Sequence, residues 1–508
     1  MAHQEEPKLL PVAIDEIAAQ EPDSLYGKYP ADPSNYSAGF KNVTFAQLAN
    51  ATNGVAWWLE SEVGRGGDGP TPTIAYIGPN DFRYVFAFVG ANKAGYQLFL
   101  TSPRNSLAAH LALLENLRCS IIIVAGQVLP IVDEIVKTRS MRLLMMEEME
   151  DLMNRPSRPY PYQKSLDEAK RDGAFVCHTS GTTGIPKACL YTQEFVLRCA
   201  RVTWLPPPEG YTSLTSKLGN NTQILVLPFF HPAGVQLGIF NAIYNRSVVI
   251  IPSWLAPPST EDLANLIQNV EADWAMTSPF TLETLAKDEA MLDQVASRLK
   301  MLVFAGGALP KALGDVIAKK IHLASFLGSS ETAGLPLIYP TDFDFVNDWQ
   351  YMGFHPKVGA ILDPRTEDTF ELVLKRSKAL EPYQPVFERL PDLEAFPTSD
   401  LFRRHPVRQD MWAHASRSDD VIVFLNGEKT NPVSFENHLS KHPDIEGAIV
   451  FGDQRFEAGV LIELRAENKL SAKGKDERIN SDRSVTRPLH DARHAIIADA
   501  ERHGYAKS

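Results

Sequence analysis

The chain has 508 residues, 44% of them hydrophobic and 22% charged, with a formal net charge of −12. That length exceeds one ordinary domain and predicts two or more structural units, while the composition is that of a folded chain rather than a disordered one. The acidic balance argues against a general binder of nucleic acid or of an anionic membrane, and leaves room for a local basic site that holds a small anion.

The first 70 residues end in "GRGGDGP", a loop by composition. An alternation follows. "TIAYIG" (73–78) is strand-like, "DFRYVFAFVGANKAG" (81–95) has helical spacing, "YQLFLTS" (96–102) is a strand, "SLAAHLALLENL" (106–117) a helix and "RCSIIIVAG" (118–126) a strand again. This order predicts a parallel sheet with crossover helices. The pattern recurs with strands at 222–230 and 247–253, a helix at 260–272, the strand "DWAMTS", a strand at 299–307 and a helix at 309–321. Two related α/β blocks are therefore expected inside one large N-terminal unit.

Proline and charge become frequent around 380–415, and from Ser416 a smaller unit reads as strand, turn, helix, strand. Its "AIVFGDQRFEAGVLIEL" reads as a hairpin, 465–484 as a polar loop, and the chain closes on a helix-like segment. The expected fold class is α/β, with a large domain over 1–415 and a small, shortened α+β unit over 416–508.

No basic region followed by an apolar core opens the sequence, and no apolar run approaches the ~20 residues that span a bilayer. The expected setting is cytoplasmic, with no membrane and no nucleic acid among the partners. The four cysteines, Cys119, Cys177, Cys189 and Cys199, form neither a C-x-x-C pair nor a zinc-spaced cluster. They read as buried thiols.

The segment with the most chemistry is "HTSGTTGIPK" (178–187). Gly181 and Gly184 let the backbone approach an oxyanion and expose several N–H groups. Thr179, Ser180, Thr182 and Thr183 add short donors, and Lys187 adds a mobile positive charge. The spacing is not G-x-x-x-x-G-K-[ST], so it is not the common P-loop. A solvated turn would not need this density of donors.

"TSGTTGIPK" resembles the phosphate-binding motif of adenylate-forming enzymes: acyl-CoA synthetases, firefly-type luciferases and the adenylation domains of peptide synthetases. Further pieces follow in that family's order. "LPFFHPAGV" (227–235) resembles the segment carrying a substrate-side histidine, "FAGGALP" (304–310) the adenine strand and turn, "GSSETAG" (328–334) the "GSTE" motif, "TSDLF" (398–402) the ribose motif and "SRSDDVIVFLNGE" (416–428) the hinge motif. "YIGPNDFRY", "SPRNS" and "NGEKTNPVSFE" narrow the likeness to fungal adenylate-forming reductases similar to aminoadipate reductase. Those proteins continue into carrier and reductase domains, and no carrier-type serine motif or G-x-G-x-x-G fingerprint follows here.

The resemblance implies that ATP and a carboxylic acid form an acyl-adenylate and pyrophosphate, with Mg²⁺ as cofactor. The 179–187 loop would cradle the outer phosphates. Ser330 would donate to the α-phosphate, and Glu331 would hold Mg²⁺. Asp400 would accept from the ribose hydroxyls, with Arg417 on ribose or phosphate and Ser416 and His414 beside them. Gly306 and Gly307 would let adenine lie on backbone, next to Leu327, Gly328 and Ser329. Taken singly, Glu331 reads equally as a helix N-terminal carboxylate and Asp400 as a turn cap; the ordered set is what points to nucleotide. His231 stands where acyl- and aryl-activating relatives carry a histidine, and no "FDAS"-like aspartate is present. An aryl, 2-oxo or fatty acid is therefore implied rather than an α-amino acid, with a carrier-protein or CoA thiol as acceptor, in secondary metabolism.

Departures from the family's pattern are also expected to matter. Leu327 replaces the aromatic that stacks on adenine, Val423 replaces the hinge lysine, and Ser416 a glycine. Lys473, Lys475 and Arg478 only echo the family's C-terminal lysine loop and read as solvated. Asp419 falls at the family's hinge. Two alternatives stand beside the enzyme: an impaired relative that binds nucleotide or acid, and a fragment of a longer adenylation–carrier–reductase protein.

Overall fold

The computed structural model describes residues 6–464, apart from 68, 180–185, 253–257, 367, 419–421, 424–428, 431, 433–435, 437–438, 440–444 and 452–457. By packing, the chain divides into two compact units. The first comprises Met1–Ile361, Val373–Phe396 and His405–Ala413, and the second Leu362–Leu372, Pro397–Arg404 and His414–Ser508.

Two sheets dominate the first unit. One has six strands in the order Arg142–Met146, Ile121–Ala125, Thr73–Ile77, Gln97–Leu100, Gly173–Thr179, Lys187–Thr192. All neighbours are parallel except the last pair, which is antiparallel. The other has seven, in the order His322–Ser325, Met301–Phe304, Trp274–Thr277, Thr222–Leu225, Val248–Ile250, Leu25–Pro30, Phe40–Thr44. It too is parallel until its final antiparallel pair. The α/β class and the two blocks expected from the alternation are present. The strands are shorter than the apolar runs that announced them: 222–230 yields Thr222–Leu225 alone, because the run meets Pro228, which has no N–H for a sheet ladder.

Both faces of these sheets are covered, as parallel sheets require. Trp274, Phe99, Phe175 and Tyr76 are among the fully buried side chains, each contributing on the order of 1.5–3 kcal/mol if its apolar surface leaves water. The helix Arg83–Lys93 is buried along its whole length. It ends on a buried lysine, whose Nζ lies 2.7 Å from Asp15 and 2.7 Å from Asn53. A charge so deep is tolerable only when paired in this way. The helix Phe45–Val63 opens on a capping box of Thr44 and Gln47.

A third, antiparallel set in the same unit pairs Tyr211–Ser213 with Leu337–Pro340, and Leu337–Pro340 with Tyr351–Phe354. All four cysteines are free and buried. In the second unit, the expected hairpin forms from Ile445–Phe451 and Gly459–Leu464, with Leu439 and Ile445 in its small core. Asp419, Lys473, Lys475 and Arg478 lie outside the described residues. No helix among the described residues is long and apolar enough to cross a membrane.

Candidate active site

Ligands of open α/β sheets collect beyond the carboxyl ends of the strands, where the strand order reverses direction. In the six-stranded sheet those ends carry Asn80, Ser102 and Thr179. In the seven-stranded sheet they lead to His231 and Gly306. Among the residues singled out in the sequence, Thr179, His231 and Gly306 stand at or just beyond these ends.

Thr179 closes the strand Gly173–Thr179 and is directly opposed by Lys187, the first residue of the return strand. Thr179 is half-buried and Lys187 exposed. The hairpin thus brackets the glycine-rich loop; Ser180, Gly181, Thr182, Thr183 and Gly184 themselves lie outside the described residues. One strand position before Thr179 stands His178, the first residue of the motif. Its Nε2 accepts from the Ser102 N–H at 3.1 Å and lies 3.1 Å from the Asn105 amide nitrogen. Accepting at Nε2 fixes the neutral tautomer with its proton on Nδ1. Burial lowers the His178 pKa, and a charge on His231 lowers it further.

His231 caps the short helix Pro232–Val235, its Nδ1 accepting from the Ala233 N–H at 3.2 Å. This leaves Nε2 as the nitrogen that carries a proton in the neutral ring. The ring is exposed at its rim, yet the surrounding protein draws its pKa down by desolvation. The helix continues into a π-helical stretch, Gln236–Asn241. Its wider turns are supported from outside: Tyr26 donates to the Gly238 carbonyl at 2.7 Å and Gln223 to the Leu237 carbonyl at 2.9 Å. Such insertions are frequent at functional sites.

Ser330 and Glu331 sit on a tight hairpin between Gly328–Ser329 and Ala333–Gly334, not on a helix N-terminus. The turn is internally tied. Ser329 Oγ accepts from the N–H of Glu331 at 3.1 Å and of Thr332 at 3.2 Å, and Thr332 Oγ1 accepts from Ser329 N–H at 3.0 Å. The Ser329 hydroxyl is therefore engaged in shaping the turn. Two further bonds hold the hairpin from outside. Tyr191, on the return strand of the loop, donates to the Ser330 carbonyl at 2.9 Å. Gln236, on the π stretch after His231, accepts from the Gly334 N–H at 2.7 Å. The loop's return strand, the histidine segment and the acidic hairpin are thus one connected construction.

Glu331 pairs with Arg389 at 3.4 Å. Arg389 had no signal in the sequence; it ends the five-residue helix Pro385–Arg389 inside the proline-rich stretch. Among the described residues, no group of three or more His, Cys, Asp or Glu is placed to hold a metal ion. One partly exposed carboxylate nevertheless fits Mg²⁺, which is commonly bound through one or two carboxylates together with substrate phosphates.

Gly306 follows the strand Met301–Phe304 with a φ of 91°, a conformation that excludes most side chains. Gly306 and Gly307 are exposed, and nothing lies within 4 Å of where a Gly306 Cβ would stand. Leu327 is half-buried, whereas Phe326 is buried with its ring packed against Gly334. Phe326 therefore does not replace the missing aromatic at 327.

In the second unit, Asp400 gathers two nitrogen partners. Its Oδ1 lies 3.3 Å from His414 Nε2 and 3.3 Å from Arg417 Nη1. Ser399 immediately before it has a φ of 65°, and the Ser399 carbonyl accepts from Ser418 N–H at 2.7 Å. Ser416, on the same strand as His414 and Arg417, is buried.

The fold is that of the adenylate-forming enzymes, and comparison with known proteins gives the family. Residues 18–366 match the AMP-binding enzyme family, and residues 419–493 match the AMP-binding enzyme C-terminal domain. The chain belongs to the AMP-binding enzyme family. It is 30% identical to the carboxylic acid reductase of Neurospora crassa over 476 residues, which cover 91% of this chain and 44% of that protein. It is 29% identical to the adenylate-forming reductase Nps11 of Serpula lacrymans, over 77% of this chain and 37% of that one. The chain spans less than half the length of these curated relatives. Among solved structures, the O-succinylbenzoate coenzyme A synthetase of Bacillus subtilis in complex with AMP superposes with a TM-score of 0.69 at 18% identity, covering 92% of this chain and 91% of that one. The benzoate CoA ligase of Burkholderia xenovorans gives a TM-score of 0.69 at 16% identity, covering 93% and 92%.

Proposed function

We propose that the chain activates a carboxylic acid with ATP. A carboxylate oxygen attacks the α-phosphorus, the bond to the β-phosphate breaks, and pyrophosphate leaves with the electron pair. The product is an acyl-adenylate, for transfer to the thiol of a carrier protein or of CoA in a secondary-metabolite pathway. The observation that carries this reading is the hydrogen-bonded link from the loop's return strand to the Glu331 hairpin.

The difficulty of the reaction is that two anions must meet, so positioning and charge screening supply most of the catalysis. Lys187 and the loop it follows hold the outer phosphates. Ser330 donates to the α-phosphate. Glu331 is the ligand for Mg²⁺, whose chemistry when bound is to neutralise phosphate charge. Gly306 and Gly307 receive the adenine, and Asp400, with His414 and Arg417, binds the ribose side. His231, whose Nδ1 accepts from the Ala233 N–H, can donate a hydrogen bond from Nε2–H to the acid's carboxylate. The segment "FFHPAGV" stands where a "FDAS"-like aspartate would meet an α-ammonium, which favours an aryl, 2-oxo or fatty acid.

Pyrophosphate exchange over a panel of aryl, 2-oxo, fatty and α-amino acids tests the reading. ATP label should incorporate with a member of the first three classes. Measurable ATP binding without exchange on any acid would leave a nucleotide-binding relative instead. That second reading is favoured by Leu327, whose position lacks an aromatic, and by Phe326, whose ring is committed to Gly334.

A further inference from the structure

Glu331 is not bare. Its carboxylate faces Arg389 at 3.4 Å, and both side chains are largely covered, Arg389 at 15% and Glu331 at 30% exposure. Arg389 is held from several sides. Its guanidinium lies 5.7 Å from the centroid of the Tyr191 ring, the same ring whose hydroxyl holds Ser330. Its Nε is buried without a hydrogen-bond partner. It also sits close enough to the Cys189 thiol, on the return strand, to offset part of the rise that burial imposes there.

The short helix that carries Arg389 is pinned in turn. Arg198 reaches Glu388 at 3.3 Å and the Gln384 carbonyl at 3.2 Å, and Thr192 donates to Glu388 at 3.0 Å. Gln384 donates to the carbonyls of Val358 and Lys375 at 3.0 and 2.8 Å. A guanidinium fixed this firmly beside a carboxylate is placed there by the fold, not by chance contact of two flexible surface chains.

A lone carboxylate in a site built for polyphosphate repels its own substrate unless a cation neutralises it. Mg²⁺ does so once bound; before that, the site needs another positive charge. We propose that Arg389 is a positioning residue for the metal-binding carboxylate, a resident counter-ion that pairs with Glu331 in the metal-free enzyme and gives it up when Mg²⁺ arrives with nucleotide. The proposal rests on the nucleotide reading above.

ATP binding to the full chain, measured calorimetrically in EDTA and across a Mg²⁺ titration, tests it without recourse to turnover. In EDTA, R389M should bind ATP about tenfold more weakly than the wild type. In saturating Mg²⁺ it should come within about threefold, with the Mg²⁺ midpoint moved about tenfold lower because the competitor is gone. R389K, which keeps the charge, should retain the EDTA affinity. E331Q should bind ATP more tightly than wild type in EDTA and lose its dependence on Mg²⁺, and E331Q/R389M should recover the wild-type EDTA affinity. A loss in R389M that is equal with and without Mg²⁺ overturns the proposal, as does a double variant no better than R389M. Should R389M not fold, E331Q decides: an EDTA affinity unchanged or reduced overturns the proposal. A wild type that binds no ATP in either condition overturns the nucleotide reading and this proposal with it, whereas normal wild-type binding with an unaltered Mg²⁺ midpoint in R389M overturns this proposal alone.

Discussion

The phenol of Tyr191 donates a 2.9 Å hydrogen bond to the carbonyl of Ser330, joining the strand that leaves the glycine-rich loop to the turn that presents Glu331. The ring is independently fixed by stacking on Phe175, centroids 4.3 Å apart. Tyr191→Phe keeps the stack and removes only the bond. It should cost about 0.5–1.5 kcal/mol of stability and weaken ATP binding several-fold. Thermal unfolding and calorimetry check the pair; an unchanged ATP affinity would mean that the bond is purely structural.

Lys187 is exposed, so its removal should leave folding within about 0.5 kcal/mol of wild type. A charge-assisted contact to phosphate is worth about 1.5–3 kcal/mol, so Lys187→Ala should slow pyrophosphate exchange by roughly 10- to 150-fold. Intact exchange in this variant would remove the loop assignment.

Asp400 stands as the shared acceptor of His414 and Arg417, with an oxygen to offer a ribose diol. The wild type should prefer ATP over 2′-deoxy-ATP, and Asp400→Asn should reduce that preference along with overall affinity. Competition binding with the two nucleotides gives the answer; a preference that survives in Asp400→Asn counts against the ribose role.

His110 is completely buried, with Nδ1 3.3 Å from Thr101 Oγ1 and Nε2 unpartnered. Burial lowers its pKa to about 4, helped by a charge on His178. The neutral form is the folded form, so its contribution is whole above the unfolded value near 6.5 and is lost as pH falls toward 4. The loss is on the order of 3 kcal/mol at full expression. The unfolding midpoint should therefore drop through this window, and His110→Gln should show a shallower slope there even if it starts less stable. Equal slopes would place the acid sensitivity elsewhere.

How much of this was readable from the residues varies by region. The strands over 73–126 announced themselves because each is a short, largely buried apolar run between helices of clear period. The hairpin of Ile445–Phe451 and Gly459–Leu464 is legible instead as two apolar runs about a polar turn. Glu331 was found by its motif, but its setting was not: nothing in "GSSETAG" distinguishes a hairpin from a helix start, and the tie to Tyr191 spans 139 residues of sequence. His178 was hidden because a histidine on a strand end acquires meaning only from Ser102 and Asn105, brought beside it by the parallel sheet. Arg389 lay in a stretch dominated by proline and charge, where one more arginine carries no pattern. Side chains whose role is set by partners far along the chain leave no local periodicity to detect.

The bond from Gln236 to the Gly334 N–H has a thermodynamic consequence. It makes one mechanical piece of the segment that begins at His231 and the hairpin that bears Glu331. Under the proposed function, an acid that shifts the first would alter the affinity of the second for nucleotide, and by reciprocity nucleotide would alter the affinity for acid by the same factor. The acid preference of this protein is accordingly a property to be measured with nucleotide present.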